Sequence, residues 1–164
     1  MLIKRPVFVF LSIALILQIT AGCSSPAPNM QGERWVIFSD PQARELGIAD
    51  WFLKPGQTAE YWTPTEKDVL ALENGLVSFL QENPDRFYSQ GTPVRERLDD
   101  YNRQYIGMIL DGKRIVYANY FCDSFETDWT KEFIFVLDGG DCYFQFKYDA
   151  DSGGFFDLQV NGNG

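Results

Sequence analysis

The apolar positions of this 164-residue chain change their period once. Between residues 69 and 80 they recur at three- and four-residue steps, as Val69, Leu72, Leu76, Phe79 and Leu80 with Val77 beside them. Glu66, Lys67, Glu73, Ser78 and Gln81 fall mostly on the other side, so the spacing predicts an amphipathic helix lying on a flat apolar surface. Thr63-Pro64-Thr65-Glu66 supplies a start, with a capping residue, a proline at the first helical position and a glutamate three residues after the cap. Asn83-Pro84 stops the pattern, because the residue before a proline avoids helical backbone angles.

Beyond residue 102 the period becomes two. Tyr105 to Leu110 and Arg114 to Cys122 flank Asp111-Gly112-Lys113, which predicts a hairpin. Phe133 to Leu137 is apolar at every position and reads as a central strand covered on both sides, with Asp138-Gly139-Gly140-Asp141 turning the chain afterwards. Cys142, Phe144, Phe146 and Tyr148 then alternate with Tyr143, Gln145, Lys147 and Asp149, and the alternation resumes after residue 154 as Phe156, Leu158 and Val160. Ahead of the helix, Trp35 to Phe38 reads as a strand or docking segment, and Trp51-Phe52-Leu53 as a cluster packed on the core. Residues 84 to 102 read as an ordered loop or a short helix. The order predicts an α+β fold, with the helix covering one face of a curled, four- to five-stranded antiparallel sheet. The nearest analogy is cystatin-like architecture, which carries no function by itself.

The first 23 residues carry a different signal. Lys4 and Arg5 precede an apolar stretch from Pro6 to Leu17, broken by Ser12 alone. That stretch is short of the roughly 20 residues a membrane-spanning helix needs and fits an export signal. Thr20-Ala21-Gly22-Cys23 follows, and it resembles the lipobox of bacterial lipoproteins. Thr20 departs from the pattern, which usually has Leu, Val or Ile there, and Ile19 sits one residue early. The resemblance implies cleavage between Gly22 and Cys23 and a lipid on Cys23. Ser24 in place of an aspartate implies the outer membrane. The small, proline-containing run Ser24 to Asn29 suits a solvated tether. The expected organisation is a signal peptide over 1–22, a lipidated N-terminus and tether over 23–33, and one α+β domain over 34–164. The alternative for Cys23 is an ordinary signal cut nearby, with the cysteine left as a disulfide partner or free thiol.

Composition then removes whole classes of chemistry. With no histidine, Ser-His-Asp triads, Cys-His dyads and histidine-ligated zinc are excluded. A net charge of −9, part of whose basic share lies in the removable segment, argues against binding nucleic acid or anionic headgroups through bulk charge. Fourteen Phe, eight Tyr and four Trp belong to a chain that folds.

Cys122 and Cys142 are an even pair in an oxidising compartment, either a disulfide or two buried thiols. In a plain meander with a strand between them, about eight residues of strand would separate them, on the order of 25 Å. A bridge needs Cα atoms within about 7 Å. Asp149-Ala150-Asp151-Ser152-Gly153 begins a calcium-loop spacing, but Val160 stands where a bidentate Glu is required, so it reads as a polar turn. Asp138, Gly139, Gly140 and Asp141 are hairpin residues or, with Asp99, Asp100 and Asp123, an acidic lip for a basic partner or a cation. Tyr61, Trp62, Tyr120 and Trp129 are of a type that stacks on sugars, though packing is the simpler use. No pair of carboxylates is singled out for acid-base hydrolysis.

Trp62-Thr63-Pro64-Thr65, Arg103 to Gly107, Phe121-Cys122, Trp129, Asp138-Gly139-Gly140 with Cys142-Tyr143-Phe144, and Val160-Asn161-Gly162 together resemble an uncharacterised group of small exported bacterial proteins and lipoproteins. No activity comes with that resemblance. The expectation is a non-enzymatic, lipid-anchored envelope protein without cofactor or metal. It would contact the bilayer through Cys23 and bind a protein partner, and it would not bind nucleic acid. Two other classes stand beside it. A small inhibitor or immunity-like protein would insert Asp138 to Asp141 or the Asp111-Gly112 tip into an enzyme, and a carbohydrate-binding module would use Trp62 or Trp129.

Overall fold

The computed structural model describes residues 30–53, 59–87 and 92–162. Cys23, the export signal and most of the tether lie outside them. Among the described residues seven strands form one sheet: β1 (Met30–Gln31), β2 (Trp35–Phe38), β3 (Glu60–Trp62), β4 (Asn102–Leu110), β5 (Lys113–Phe121), β6 (Tyr143–Asp149) and β7 (Gly154–Val160). Their order is β1-β2-β4-β5-β6-β7, with β3 pairing β4 off that path. Pairing is antiparallel except between β2 and β4. The parallel pair needs a long crossover, supplied by α1 (Asp40–Leu46), β3 and α2 (Glu66–Glu82). The fold is α+β, with more strands than the four to five expected, because three short ones precede α2. Met30 and Gln31, assigned to the tether by sequence, pair with Ile37 and Val36.

The β4–β5 hairpin closes on Asp111 and Gly112 at φ 50° and 76°, the two left-handed positions of a two-residue turn that twists with its strands. Pairing then runs unbroken from Leu110↔Lys113 to Asn102↔Phe121. Helix α2 is capped by Thr65, two residues later than Thr63. Asp68 N–H donates to Thr65 Oγ1 at 3.3 Å and Thr65 N–H to Asp68 Oδ2 at 2.9 Å. Thr63 instead accepts from Asp40 N–H at 2.8 Å at the start of α1. Pro64 lies against Gly107, where a Cβ would collide with the Trp62 carbonyl and stand 2.8 Å from Pro64 Cδ.

Period-two alternation in the sheet sorts the core onto two faces. Toward α2 point Ile37, Tyr105, Val116, Tyr120, Phe144 and Phe146, meeting Val69, Leu72, Leu76 and Leu80. Toward the other face point Val36, Phe38, Ile106, Met108, Ile115 and Tyr117, covered by Ala43 of α1 and by Ile48 and Ala49 of the following 3-10 turn. Val77, grouped with the apolar stripe by sequence, is 47% exposed.

Two expected strands are corrected. Phe133 to Leu137 forms no strand. Strands β5 and β6 pair directly, and residues 122–142 leave the sheet and return to it as an irregular strap over the face opposite α2. The apolar run misleads because only Ile134 is buried, while Phe135 and Leu137 remain 57% and 78% exposed. In β7 the expected phase of Phe156, Leu158 and Val160 is broken by a bulge opposite Gln145 and Lys147, with Asp157 at φ 53°. Phe155 therefore joins Leu158 and Val160 on the helix face, and Phe156 turns away toward Lys147.

Candidate functional site

The strap is pinned by side-chain amides that rise from the sheet. Gln104 is fully buried, and its Nε2 donates to the carbonyls of Trp129 at 2.6 Å and Glu132 at 2.7 Å. Its Oε1 accepts from Ile134 N–H and from Asn119 Nδ2, both at 3.0 Å. Asn119 Nδ2 also donates to the Ile134 carbonyl at 2.8 Å, and Asn161 Nδ2 donates to Val136 O at 2.6 Å and Asp138 O at 3.1 Å. Backbone groups that a strand would satisfy along a ladder are here satisfied by amides, which is why the segment lies docked without being a strand. Phe121, Ile134 and Tyr143 form a small core beneath it, with Phe125, Trp129 and Val136 packed alongside.

Both ends of the strap meet at a disulfide. Cys122 and Cys142 are bonded at S–S 2.09 Å with Cα atoms 5.0 Å apart, and Cys122 N–H donates to Cys142 O at 3.0 Å. The separation expected from a meander disappears because no strand intervenes: the cysteines follow β5 and precede β6, which are direct partners.

What the strap presents outward is aromatic. Trp51 stands 4.7 Å from Phe135 and 5.8 Å from Phe133, ring centre to ring centre, and Phe133 continues inward to Tyr117 at 6.2 Å. Trp51 keeps half its surface in water. Exposed acids adjoin these side chains along the chain: Asp50 before Trp51, Glu132 before Phe133 and Asp138 after Leu137.

The Asp138 to Asp141 loop is not a hairpin tip. Gly139 and Gly140 adopt φ 89° and 58°, and Gly140 N–H donates to the Gly162 carbonyl at 3.0 Å. A Cβ on Gly139 would stand 2.6 Å from the Tyr143 ring. Gly140 and Asp141 are buried, leaving Asp138 and Gly139 at the surface. Of the acidic lip, Asp123 accepts from the Tyr143 hydroxyl at 3.3 Å, and the Tyr101 hydroxyl donates to the Asp141 carbonyl at 2.6 Å. Burial pushes the Tyr101 phenol up to about 12 and, with the nearby Asp123 carboxylate, raises that of Tyr143. Among the described residues no three His, Cys, Asp or Glu side chains are grouped to hold a metal ion.

The truncated calcium-like loop is a side-chain-closed turn. Asp149 Oδ1 accepts from the N–H groups of Asp151 and Ser152, and Arg114 pairs with Asp151 at 2.8 Å. These contacts hold both carboxyls below the ordinary carboxylate range, chiefly through bonds from Ser152 to Asp149 and from Arg114 to Asp151. Tyr61 and Tyr120 are buried, Trp62 Nε1 donates to the carbonyls of Met108 and Ile115 at 3.2 Å, and Trp129 packs edge-on against Phe121. The aromatics singled out by sequence thus serve packing, whereas Trp51 and Phe135 face outward.

A second polar centre lies on the helix face. Glu73, assigned by sequence to the solvent side of α2, turns inward, and its Oε1 accepts from the hydroxyls of both Tyr105 and Tyr120. Those hydroxyls are 3.1 Å apart, and burial holds both phenols well above their ordinary value. Arg103 lies over the Tyr120 ring at 5.5 Å and 3.9 Å from Glu73 Oε1. The signal was in the spacing, since position 73 follows Val69 by four and precedes Leu76 by three, inside the apolar stripe. Gln104 stands in period-two phase with Ile106 and Met108, and Asn119 with Ile115 and Tyr117, on strands buried on both faces.

Comparison with known proteins adds no identification: no family model matches the chain, and no curated protein or solved structure is significantly similar to it.

Proposed function

We propose that this is a lipid-anchored, non-enzymatic protein of the bacterial cell envelope, held at the outer membrane through Cys23, whose folded part binds another protein through the strap. The observation that carries the binding reading is the outward pair of Trp51 and Phe135, ring centres 4.7 Å apart and 50% and 57% exposed, with Leu137 two residues along the strap at 78% exposure. Large apolar side chains grouped on a rigid support in a monomer mark an interaction surface more often than chance exposure. Aromatic anchors of this kind carry most of the binding energy in protein interfaces. The partner surface is apolar at its centre and basic at its rim, complementing Asp50, Glu132, Asp138 and a net charge of −9. The Cys122–Cys142 bond supports a location outside the reducing cytosol. Among the described residues no helix is long and apolar enough to cross a membrane, and the anchor is assigned to Cys23 on its lipobox-like context alone.

The test is a photo-crosslinking residue placed at Phe135 and, as a control, at Val77 on the exposed side of α2, in intact cells. One dominant protein adduct is expected at 135 and none at 77, and it should weaken in a Cys23→Ser form. Equal labelling at both positions would overturn the binding surface. A mature N-terminus without acyl mass on Cys23 would overturn the anchor.

A further inference from the structure

The sheet ends unequally. One outer strand is β1, of two residues, and the other is β7, of seven. An outer strand carries a row of backbone groups without a neighbouring strand, and a long one is a template on which a second chain can pair. Asn161 N–H donates to Tyr143 O at 3.0 Å, on the β6 side. Because antiparallel pairing alternates, Val160 one step back turns its own N–H and C=O away from β6. There is room on that side. A groove of about 540 Å³ lies between the end of α2 and β7, lined by Phe79, Asn83, Arg86, Phe155 and Leu158 among others.

Two features interrupt this edge. Arg86, at the end of the 3-10 turn that follows α2, reaches a strand 72 residues further along the chain, and its Nη2 donates to the Leu158 carbonyl at 2.6 Å. An acceptor that an added strand would use is thereby occupied, and a guanidinium stands in the groove such a strand would enter. The second feature is the bulge. Asp157 adopts φ 53°, and its Oδ2 accepts from Lys147 Nζ at 2.8 Å. Lys147 is 11% exposed in its side chain and lies 4.3 Å from the centre of the Phe52 ring, so it holds Asp157 from the face opposite α2. Glycine would take this left-handed angle at no cost, and an aspartate stands there with its carboxylate in use. A bulge at this point adds twist and breaks the even run of edge groups.

We propose that Arg86 and the Asp157 bulge form a built-in stop that keeps β7 from pairing with β7 of a second copy. The excluded partner is the chain's own edge: two β7 strands related by a twofold axis run antiparallel, and each supplies the other's donors and acceptors. The anchor proposed at Cys23 would hold copies on one membrane, where their local concentration favours such pairing. The stop itself depends neither on the anchor nor on the strap.

The test compares Arg86→Ala with the wild type as intact mature protein in detergent, with micelles in excess over chains, by sedimentation and amide exchange at rising protein concentration. The wild type should stay monomeric, and its Val160 N–H should exchange freely at every concentration. Arg86→Ala should form dimers, with Val160 exchange slowing several-fold as they form while the Leu76 amide keeps its protection. Adding Val160→Pro removes the outward donor without touching the β6 ladder and should return the variant to monomer. Arg86→Lys, which keeps the charge and a donor at nearly the same reach, should stay monomeric. The wild-type guanidinium gives a reading that needs no variant, since Arg86 Nη protons held on a carbonyl should exchange slowly in ¹H–¹⁵N spectra. Wild-type dimers joined through β7, a monomeric Arg86→Ala, association that survives Val160→Pro, or a freely rotating Arg86 guanidinium would each overturn the proposal.

Discussion

The two faces of the sheet are closed by different chemistry. Under α2, regular elements meet across apolar side chains, and the polar groups that enter, Glu73 with Tyr105 and Tyr120, hydrogen-bond one another. Under the strap, a segment without strand or α-helix is held by Gln104, Asn119 and Asn161, each reaching carbonyls or N–H groups of a loop distant in sequence. The first arrangement stabilises mainly through area removed from water, and the second mainly by satisfying backbone groups that burial would otherwise leave unpaired. Apolar packing tolerates small shifts of one element over another, whereas an amide that bonds two carbonyls fixes position to within a fraction of an ångström. The strap face is therefore the one able to display rings rigidly, and it is where Trp51 and Phe135 are displayed.

The comparison can be broken hardest from the helix side. Leu76→Ala removes a fully buried side chain from the middle of α2 and should cost about 2–5 kcal/mol in urea unfolding, with the whole domain losing stability together. Next is the disulfide that closes the strap. Cys122→Ser with Cys142→Ser opens a link of sequence separation 20, for which loop entropy gives about 3 kcal/mol. The same melts should show that loss with and without reductant in the wild type. Gln104→Ala should cost about 2 kcal/mol, since it leaves the buried Ile134 N–H and the partly buried carbonyls of Trp129 and Glu132 without the amide that pairs them. Unlike Leu76→Ala, it should raise hydrogen exchange in residues 128–136 before it affects α2.

Alkaline pH acts on both faces, because buried phenols with raised values lie under α2, as Tyr101, Tyr105 and Tyr120, and on the opposite face, as Tyr61, Tyr117 and Tyr143. Burial raises Tyr101 to about 12 and holds Tyr105 and Tyr120 well above their ordinary value. In the unfolded chain each ionises near about 10. Between these values the unfolded state has released protons that the folded state keeps, so the contribution of these phenols to stability is level below pH 10 and falls as pH rises toward 12. Tyr101→Phe should make that fall shallower in a melting series across the range. The smallest effect belongs to the outward rings. Phe135→Ser and Leu137→Ser should change stability by no more than about 0.5 kcal/mol while removing the crosslinked adduct, the signature of a surface kept for binding.

The helix face was the more legible in the sequence, and the reason is physical. Val69, Leu72, Leu76 and Leu80 keep one period over about three turns, and Asp111-Gly112 between alternating runs permits few structures besides a hairpin. Composition also located the cysteine pair but not its pairing, which depended on whether Phe133 to Leu137 was a strand. That segment has strand composition, and what removes it from the sheet is a set of amides on β4, on β5 and at Asn161, too distant in sequence for any local window to weigh. The β7 bulge failed for a related reason: one extra residue exchanges the faces of Phe155 and Phe156 without altering composition. The outward cluster needed the fold as well, since Trp51 and Phe135 meet only after the strap is laid down.

Amide hydrogen exchange across residues 122–142, in the wild type and in Gln104→Ala, tests the docked strap most directly. The account predicts that Ile134 N–H in the wild type is protected to the level of the neighbouring β5 amides, and that the substitution lowers this protection while α2 keeps its own. Free exchange of Ile134 in the wild type would mean that the strap is not held on the sheet, and the rigid aromatic surface assigned to it would not exist.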